Sequence, residues 1–370
     1  MEDILTGIQE KFGKDAAFYL SSPERLVHDL GFVSTGSFSV DYVIGRPGIP
    51  LGRVTEIFGP YSSCKSSIVA SIIGQCQARG GSAFLFDGEH SFTPDWVKLF
   101  NVDPERLILL QPLSIKDMFE QAAYICQAIR DSHSDKPFIV AIDSLSSFPT
   151  PEELEILDPK YKEEGKAHFQ MGLHARYVAK GLRILSNLIW DARVALLVVS
   201  QLKDNPMNPY SGFKLGGEAC NFHAALQLKT VKLQKSETKI KVRIKAEKNK
   251  LSPPFREAVF EFVFGQGIDD SLTFAEVAEE LKLVTKKGGG WYEMNGQNFR
   301  AEDLISQVGR AVYKHVFPEL FPLEVVAVTT PPVETTTNQP PSTLPVETSS
   351  TISPPAETPV VAPTSPPETA

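Results

Sequence analysis

Residues Gly59–Ser67 read GPYSSCKSS, between the run RVTEIFG (Arg53–Gly59) and the stretch KSSIVASIIGQCQARGG that starts at Lys65. The first run has the β-branched and aromatic content of a buried strand; the last has the length and composition of a helix. The turn between them follows the phosphate-loop pattern G-x-x-x-x-G-K-[ST] at Gly59, Lys65 and Ser66, with Cys64 where the second glycine belongs. The binding stretch is then Gly59, Pro60, Tyr61, Ser62, Ser63, Cys64, Lys65, Ser66 and Ser67. Its successive backbone N–H groups, with the helix N-terminus, attract phosphate oxygens. Lys65 would reach the β- and γ-phosphates of a nucleoside triphosphate, and the Ser66 hydroxyl would ligate Mg²⁺. An ordinary strand–turn–helix has the same residues. A glycine at position 64 would allow backbone conformations barred to other residues; cysteine is among the smallest replacements. A thiol at a helix N-terminus beside a lysine is expected to be acidified and reactive.

Further acids and one amide fall at strand ends. FIVAIDS (Phe138–Ser144) is an apolar run ending in Asp143, the pattern in which an acid holds Mg²⁺ through water. The same Asp equally suits a cap for the next helix. SAFLFDGE (Ser82–Glu89) ends in Asp87 and Glu89. Glu89 is placed to polarise an attacking water, or the pair forms a solvated turn. VALLVVSQ (Val194–Gln201) ends in an amide that could sense a γ-phosphate, or is a surface glutamine. If these strands are parallel in one sheet, all the strand-end groups share its C-terminal edge, where ligands bind.

The rest of the chain supports that sheet. RLILLQP (Arg106–Pro112) reads as a further strand, with helices expected over about Ile115–Ile129 and His168–Trp190. Strands alternating with helices predict an α/β core with a mostly parallel sheet covered on both faces. After about Ala224 the runs ALQLKTVKL, TKIKVRIKAEKNK and AVFEFVF predict consecutive antiparallel strands. GGGWYEMNGQNFRAEDL (Gly288–Leu304) predicts a hairpin beside short helices in a small α+β C-terminal lobe. The first twenty residues form an amphipathic helix with Ile4, Ile8 and Phe12 on one face. Two long polar segments, Asp158–Gly172 and Leu202–Gly217, read as loops that are either functional or disordered. From Lys229 to Lys250 nine basic residues face two acidic ones, and Lys239, Lys241, Arg243 and Lys245 share one strand face. That face is either a solvated surface or an anion-binding stripe.

The 370 residues, 42% hydrophobic, suffice for one large core and a smaller domain. No apolar run reaches the roughly eighteen residues of a membrane span, and the acidic N-terminus lacks a secretory h-region. Cys64, Cys76, Cys126 and Cys220 have no metal-type spacing and read as free thiols of a cytoplasmic protein. The net charge of −8 argues against non-specific nucleic-acid affinity, so any DNA contact must come from local basic patches. From Thr329 to Ala370 the chain is mainly Pro, Thr, Ser, Val and Glu without Lys or Arg, a composition that predicts a disordered tail.

The order of these parts resembles the RecA recombinases of the bacterial type. The resemblance runs from about Ile8 to Pro322 and rests on QEKFGK, STGSFSVDYVIG, the phosphate loop, FDGEHSFTPDW, QMGLHAR, LGGEACNF and KNKLSPPFREAVFEFVFGQGI. It implies a docking region at residues 1–33, an ATPase core at 34–268, a duplex-gathering lobe at 269–328 and a tail at 329–370. It implies ATP and Mg²⁺ as cofactors. Lys65 and Ser66 match the loop lysine and metal ligand, Glu89 the water-activating acid, Asp143 the second metal acid and Gln201 the glutamine linking ATP to the second DNA loop. Trp96 matches an aromatic that stacks on adenine. Lys248 and Lys250 match a pair that reaches the γ-phosphate of a neighbouring subunit. Met171, Gly172 and Arg176 lie in or beside the first DNA loop; Lys203, Asn208 and Lys214 belong to the second; Lys286 and Lys287 lie in the duplex-gathering lobe. Ile4, Ile8, Phe12 and Phe222 match subunit contacts. The implied partners are single-stranded DNA, homologous duplex DNA, further copies in a helical filament, and mediator proteins, with no membrane.

Three departures mark a divergent member: Cys64 for glycine, Thr93 for an acid near the adenine, and a shortened second loop containing DNPMNPY. The reading is an ATP-dependent strand-exchange protein. Two alternatives stand beside it: a regulatory filament with weak ATPase activity, and a hexameric motor of the same superfamily.

Overall fold

The computed structural model describes residues 2–19, 31–155, 172–205, 208–214 and 218–321. The chain divides into units Met1–Pro322 and Leu323–Ala370, and every described residue lies in the first. Residues 329–370, Met171 and most of the first expected loop therefore lie outside the described residues.

The chain opens with α1 (Glu2–Phe12), which leaves Ile4 and Phe12 66% and 68% exposed. A short antiparallel pair, β1 (Phe32–Val33) and β2 (Ile49–Pro50), brackets α2 (Phe38–Ile44). Then comes the alternation expected from the sequence: β3 (Val54–Gly59), α3 (Lys65–Ala78), β4 (Ser82–Asp87), the short α4 (Pro94–Lys98), β5 (Leu107–Leu110), α5 (Ile115–Asp131) and β6 (Phe138–Asp143). The start of α5 is fixed by a capping box, in which Ser114 and Asp117 satisfy each other's backbone N–H groups. After α6 (Pro151–Glu155) and α7 (Leu173–Ala192) the chain re-enters the sheet as β7 (Val194–Asn205).

Here the structure departs from expectation. The strand does not stop at Gln201. It continues to Asn205 and pairs antiparallel with β8 (Asn208–Lys214), with Leu202 opposite Lys214 and Lys203 opposite Phe213. Most of the expected second loop is thus a hairpin. Its Pro and Asn content hid the strands, but Pro209 is tolerated because β8 is an outer strand that, among the described residues, pairs only with β7.

After α8 (Ala219–His223) the chain forms β9 (Leu226–Lys235), β10 (Lys239–Asn249), β11 (Glu257–Val263) and β12 (Gly267–Asp269). The main sheet runs β12–β11–β10–β9–β3–β7–β6–β4–β5, parallel from β9 to β5 and antiparallel from β9 to β12. Period-two alternation sorts its side chains onto two cores. In β6 and β7, Ile139, Ala141, Leu197 and Val199 face α3 through Ile68, Ile72 and Ile73. Val140, Ile142, Leu196 and Val198 face α5 and α7 through Met118, Ile125, Leu182 and Leu185. This is an α/β core with a mostly parallel sheet, buried on both faces of its parallel strands.

The C-terminal lobe comprises α9 (Ser271–Glu280), a three-stranded sheet of β13 (Thr285–Gly288), β14 (Trp291–Met294) and β15 (Gln297–Arg300), and α10 (Leu304–Val316). Its core is not its own alone. Phe38 from α2 sits 5.1 Å from Phe274 and 5.3 Å from Tyr313, ring centre to ring centre. Asp270 holds the start of α2, accepting from Ser37 Oγ at 2.7 Å, Phe38 N at 2.8 Å and Ser39 N at 3.0 Å.

Candidate functional site

Strand register decides which side chains meet. Gly59 lies beside Gln201 across β3 and β7, and Asp87 beside Asp143 across β4 and β6. All four stand at the C-terminal edge of the parallel strands, in front of α3.

The loop is braced from within. Ser63 Oγ donates to the Pro60 carbonyl at 2.7 Å and lies 2.7 Å from Thr230 Oγ1. A Cβ on Gly59 would sit 2.4 Å from the Thr230 carbonyl oxygen, so only glycine fits there. Cys64 adopts φ 64°, ψ 24°, the left-handed conformation that explains the usual glycine. That conformation costs an L-residue about 1–2 kcal/mol. The Cys64 side chain packs against the core, and burial pushes its thiol up to about 12, with Lys65 only partly opposing. The expected acidified thiol is therefore overturned: desolvation outweighs the neighbouring cation.

Lys65 is 7% exposed, and its Nζ donates to the Pro60 carbonyl at 2.8 Å. Burial lowers its pKa, against the pull of Asp143 and Glu89. Ser66 hydrogen-bonds Asp143, whose carboxyl is raised to about 6, mainly by burial. Asp143 Oδ2 is buried and has no hydrogen bond. An orphaned acid beside a serine hydroxyl, at the mouth of a phosphate loop, fits the donor set that Mg²⁺ takes alongside nucleotide oxygens.

Glu89 Oε1 accepts from Ser144 Oγ at 2.9 Å and also from Gln201 Nε2. Asp87, by contrast, is 2% exposed and accepts from the N–H groups of Glu89, Ser91 and Phe92, which shapes the turn presenting Glu89. Sequence reading missed Ser144 and Thr230 as partners. Ser144 was detectable as the polar residue next to Asp143; Thr230 was not, because only register brings it to the loop. Lys65, Ser66, Glu89, Asp143 and Gln201 line one cleft of about 290 Å³, together with Ile240 and Phe262. Trp96 does not line it. Its ring stands edge-on to Phe92 at 5.2 Å and Phe100 at 4.9 Å.

Lys248 and Lys250 lie elsewhere. Lys248 pairs with Gln227 near the start of β9, and Leu226 in turn lies opposite Thr55. At roughly 3.3 Å per residue, this is on the order of 10 Å or more along the sheet from Gly59, at its opposite edge. Their own subunit's loop is out of reach. Nearby, Phe222 is 77% exposed.

The expected DNA contacts divide. Gly172 and Arg176, at the start of α7, are exposed, as is Lys286 on β13. Lys203 and Asn208 are on the paired strands of the hairpin. Lys287 is held by Glu293 at 2.6 Å. Lys214 is turned inward. Its side chain is 10% exposed and pairs with the fully buried Glu56 at 2.7 Å, so it is not presented to a nucleic acid. In β10, Ile240, Val242 and Ile244 are buried and the basic residues face outward, though Lys239 is paired with Glu261 at 2.6 Å. Among the described residues no helix is long and apolar enough to cross a membrane.

A family model described as the RecA N-terminal domain matches residues 1–269. The chain is 32% identical over 333 residues to Protein RecA of Mycoplasma mobile, covering 86% of this chain and 95% of that protein. It is 33% identical over 300 residues to Protein RecA of Thermus aquaticus, covering 79% and 83%. To Protein RecA of Aquifex aeolicus it is 34% identical over 329 residues, covering 86% and 89%. A phosphate loop backed by Asp143, Glu89 and Gln201 on one sheet edge, and a match across the whole core, lead to one conclusion: the chain belongs to the RecA family.

Proposed function

We propose that this chain is an ATP-dependent DNA recombinase, which assembles as a helical filament on single-stranded DNA and exchanges strands with homologous duplex. The observation that carries the reading is that Lys65, Ser66, Asp143, Glu89 and Gln201 line one cleft, with Gln201 bonded to Glu89 and leading straight into the hairpin.

The chemistry follows from those positions. The γ-phosphate would lie before Lys65, whose contact with the loop carbonyl is exchanged for phosphate oxygens. Ser66 would ligate Mg²⁺ directly and Asp143 through water, and the ion would neutralise charge on the β- and γ-phosphates. Glu89 accepts a proton from water as its oxygen bonds to the γ-phosphorus. The bond from phosphorus to the bridging oxygen breaks, and ADP leaves. Gln201, bonded to Glu89, would register whether the γ-phosphate is present. Trp96 would stack on the base from α4.

Lys248 and Lys250, out of reach of their own loop, would stabilise the transferring phosphate of the next protomer. Ile4, Ile8, Phe12 and Phe222, exposed on α1 and α8, would form the subunit contacts. Gly172, Arg176, Lys203 and Asn208 would hold the single strand, and Lys286 with Lys287 would gather duplex. Base pairing supplies the sequence test, so few base-specific protein contacts are needed.

The test is electron microscopy with single-stranded DNA and Mg-ATP, joined to a mixing assay. Extended helical filaments support the reading; closed rings support a hexameric motor; filaments without DNA-stimulated hydrolysis support a regulatory assembly. In the mixing assay Lys65→Ala protein is combined with the Lys248→Ala, Lys250→Ala double variant. Recovered hydrolysis is expected, because some interfaces then join an intact loop to an intact lysine pair. No recovery in confirmed mixed filaments rules out a shared site.

A further inference from the structure

We infer that Lys214 and Glu56 form a buried latch that couples the hairpin to the phosphate loop. This rests on the proposed function, since it assigns the hairpin to DNA. Glu56 lies on β3, three residues before Gly59, and is fully buried. Its Oε2 accepts from Lys214 Nζ at 2.7 Å and from Gln227 Nε2 at 2.5 Å. Lys214 is the last residue of β8, and its Nζ also donates to Asn221 Oδ1 at 2.7 Å and stands 4.0 Å from the centre of the Phe58 ring. Gln227 Nε2 reaches the same Asn221 oxygen at 2.8 Å.

The arrangement fastens the hairpin at both ends. On the β7 side Gln201 is bonded to Glu89 in the cleft. On the β8 side Lys214 is bonded to the strand that carries the loop. Asn221 connects this second fastening outward: its backbone carbonyl accepts from Lys248 Nζ, and Phe222 follows it in sequence. One polar cluster thus touches the loop strand, the hairpin, the trans-acting lysine and an exposed aromatic.

A surface ion pair could slide without consequence; this one cannot. Separating Lys214 from Glu56 strands two charges in a buried pocket, so the hairpin and β3 move together or the pair breaks at high cost. Lys214 is the cation paired with Glu56, and the buried Cys220 thiol is a further hydrogen-bonding neighbour of the carboxylate. Lys214 is therefore a positioning residue. It transmits hairpin position to Gly59 and touches neither phosphate nor DNA.

The test uses the full chain and four proteins: wild type, Lys214→Met, Glu56→Gln, and the double variant. The single variants are expected to melt early, because each leaves one charge unpaired. The double variant removes both charges at nearly constant shape and should fold. Two quantities are read: the fold-stimulation of ATP hydrolysis by single-stranded DNA, and the salt slope of DNA affinity with and without an ATP analogue. The double variant should keep wild-type basal hydrolysis and an unchanged salt slope. It should lose about tenfold or more of the DNA stimulation, and also the tightening of DNA binding by the ATP analogue. Wild-type stimulation and tightening in the double variant overturn the latch. A salt slope lowered by about one shows that Lys214 leaves the pocket to contact phosphate, which also overturns it. If the wild type itself shows no DNA stimulation, the proposed function has failed and the latch with it; that outcome is visible before any variant is compared.

Discussion

Asp143 at the sheet edge is buried and Asp270 at the lobe junction is half-buried, and their surroundings differ. Asp270 accepts three hydrogen bonds from Ser37, Phe38 and Ser39, and its neighbour Asp41 accepts from Ser34 Oγ, Thr35 N and Thr35 Oγ1. Asp143 has one oxygen with none. The junction acids are filled by their own chain and hold the fold. The edge acid keeps capacity for something that is not protein. Burial alone does not separate structural from functional acids; Asp143 is set apart because its unpartnered oxygen belongs to a residue lining the phosphate-loop cleft.

That contrast can be broken in several ways. Lys65→Ala should take hydrolysis to background while leaving the melting temperature near wild type, since among the described residues no other cation of the same chain lines the cleft. Near-normal turnover by this variant would remove the cleft as the reaction site. Glu89→Gln should slow turnover by about 10²–10⁴ with ATP affinity retained. Weak binding with normal turnover at saturation would show that Glu89 is not the base.

The junction should respond in the opposite sense. Asp270→Ala strands three donors, at about 1–3 kcal/mol for each that stays unsatisfied, and should lower stability by roughly 3 kcal/mol or more in urea melts. Asp143→Ala should cost far less stability yet abolish hydrolysis. Equal losses of stability from the two would erase the distinction.

Asp41 gives a pH signature. Burial, only partly offset by hydrogen bonds from Thr35 and Ser34, raises it from 3.8 to about 7. The folded chain holds this proton up to about 7, whereas the unfolded chain releases it near 3.8. Its contribution to stability is thus full below the lower value and is lost as pH rises towards the upper one, at no more than about 1.4 kcal/mol per pH unit. Asp41→Asn should flatten the fall in melting temperature between pH 5 and pH 7. An unchanged slope would mean that Asp41 is ionised in the fold. The smallest effect concerns the loop: Cys64→Gly should relieve left-handed strain and stabilise by about 1 kcal/mol or less, because glycine also gains freedom in the unfolded chain. A loss of nucleotide affinity in this variant would show that the thiol contributes to the site.

How much of this was legible in sequence follows from how far apart the partners lie. The phosphate loop is nine consecutive residues, and Asp143, Glu89 and Gln201 each end an apolar run, so the edge could be assembled once the strands were taken as parallel. The junction could not. Asp270 and Ser37 are more than two hundred positions apart, and nothing local marks their contact. Lys214 was misassigned for the same reason: a lysine in a polar stretch reads as exposed until β8 brings it to Glu56. The hairpin itself was concealed by Pro209 and the asparagines. The Cys64 thiol was misjudged because helix and lysine are visible in sequence, while the burial that outweighs them is not.

The most direct measurement is the rate of phosphate release by the wild-type chain with saturating Mg-ATP, in the presence and absence of single-stranded DNA. A cleft joined to the hairpin through Gln201 should turn over at least about tenfold faster with DNA, and Lys65→Ala should show neither rate. Equal rates with and without DNA, in protein shown to bind both ligands, would contradict the proposed coupling between the nucleotide edge and the hairpin.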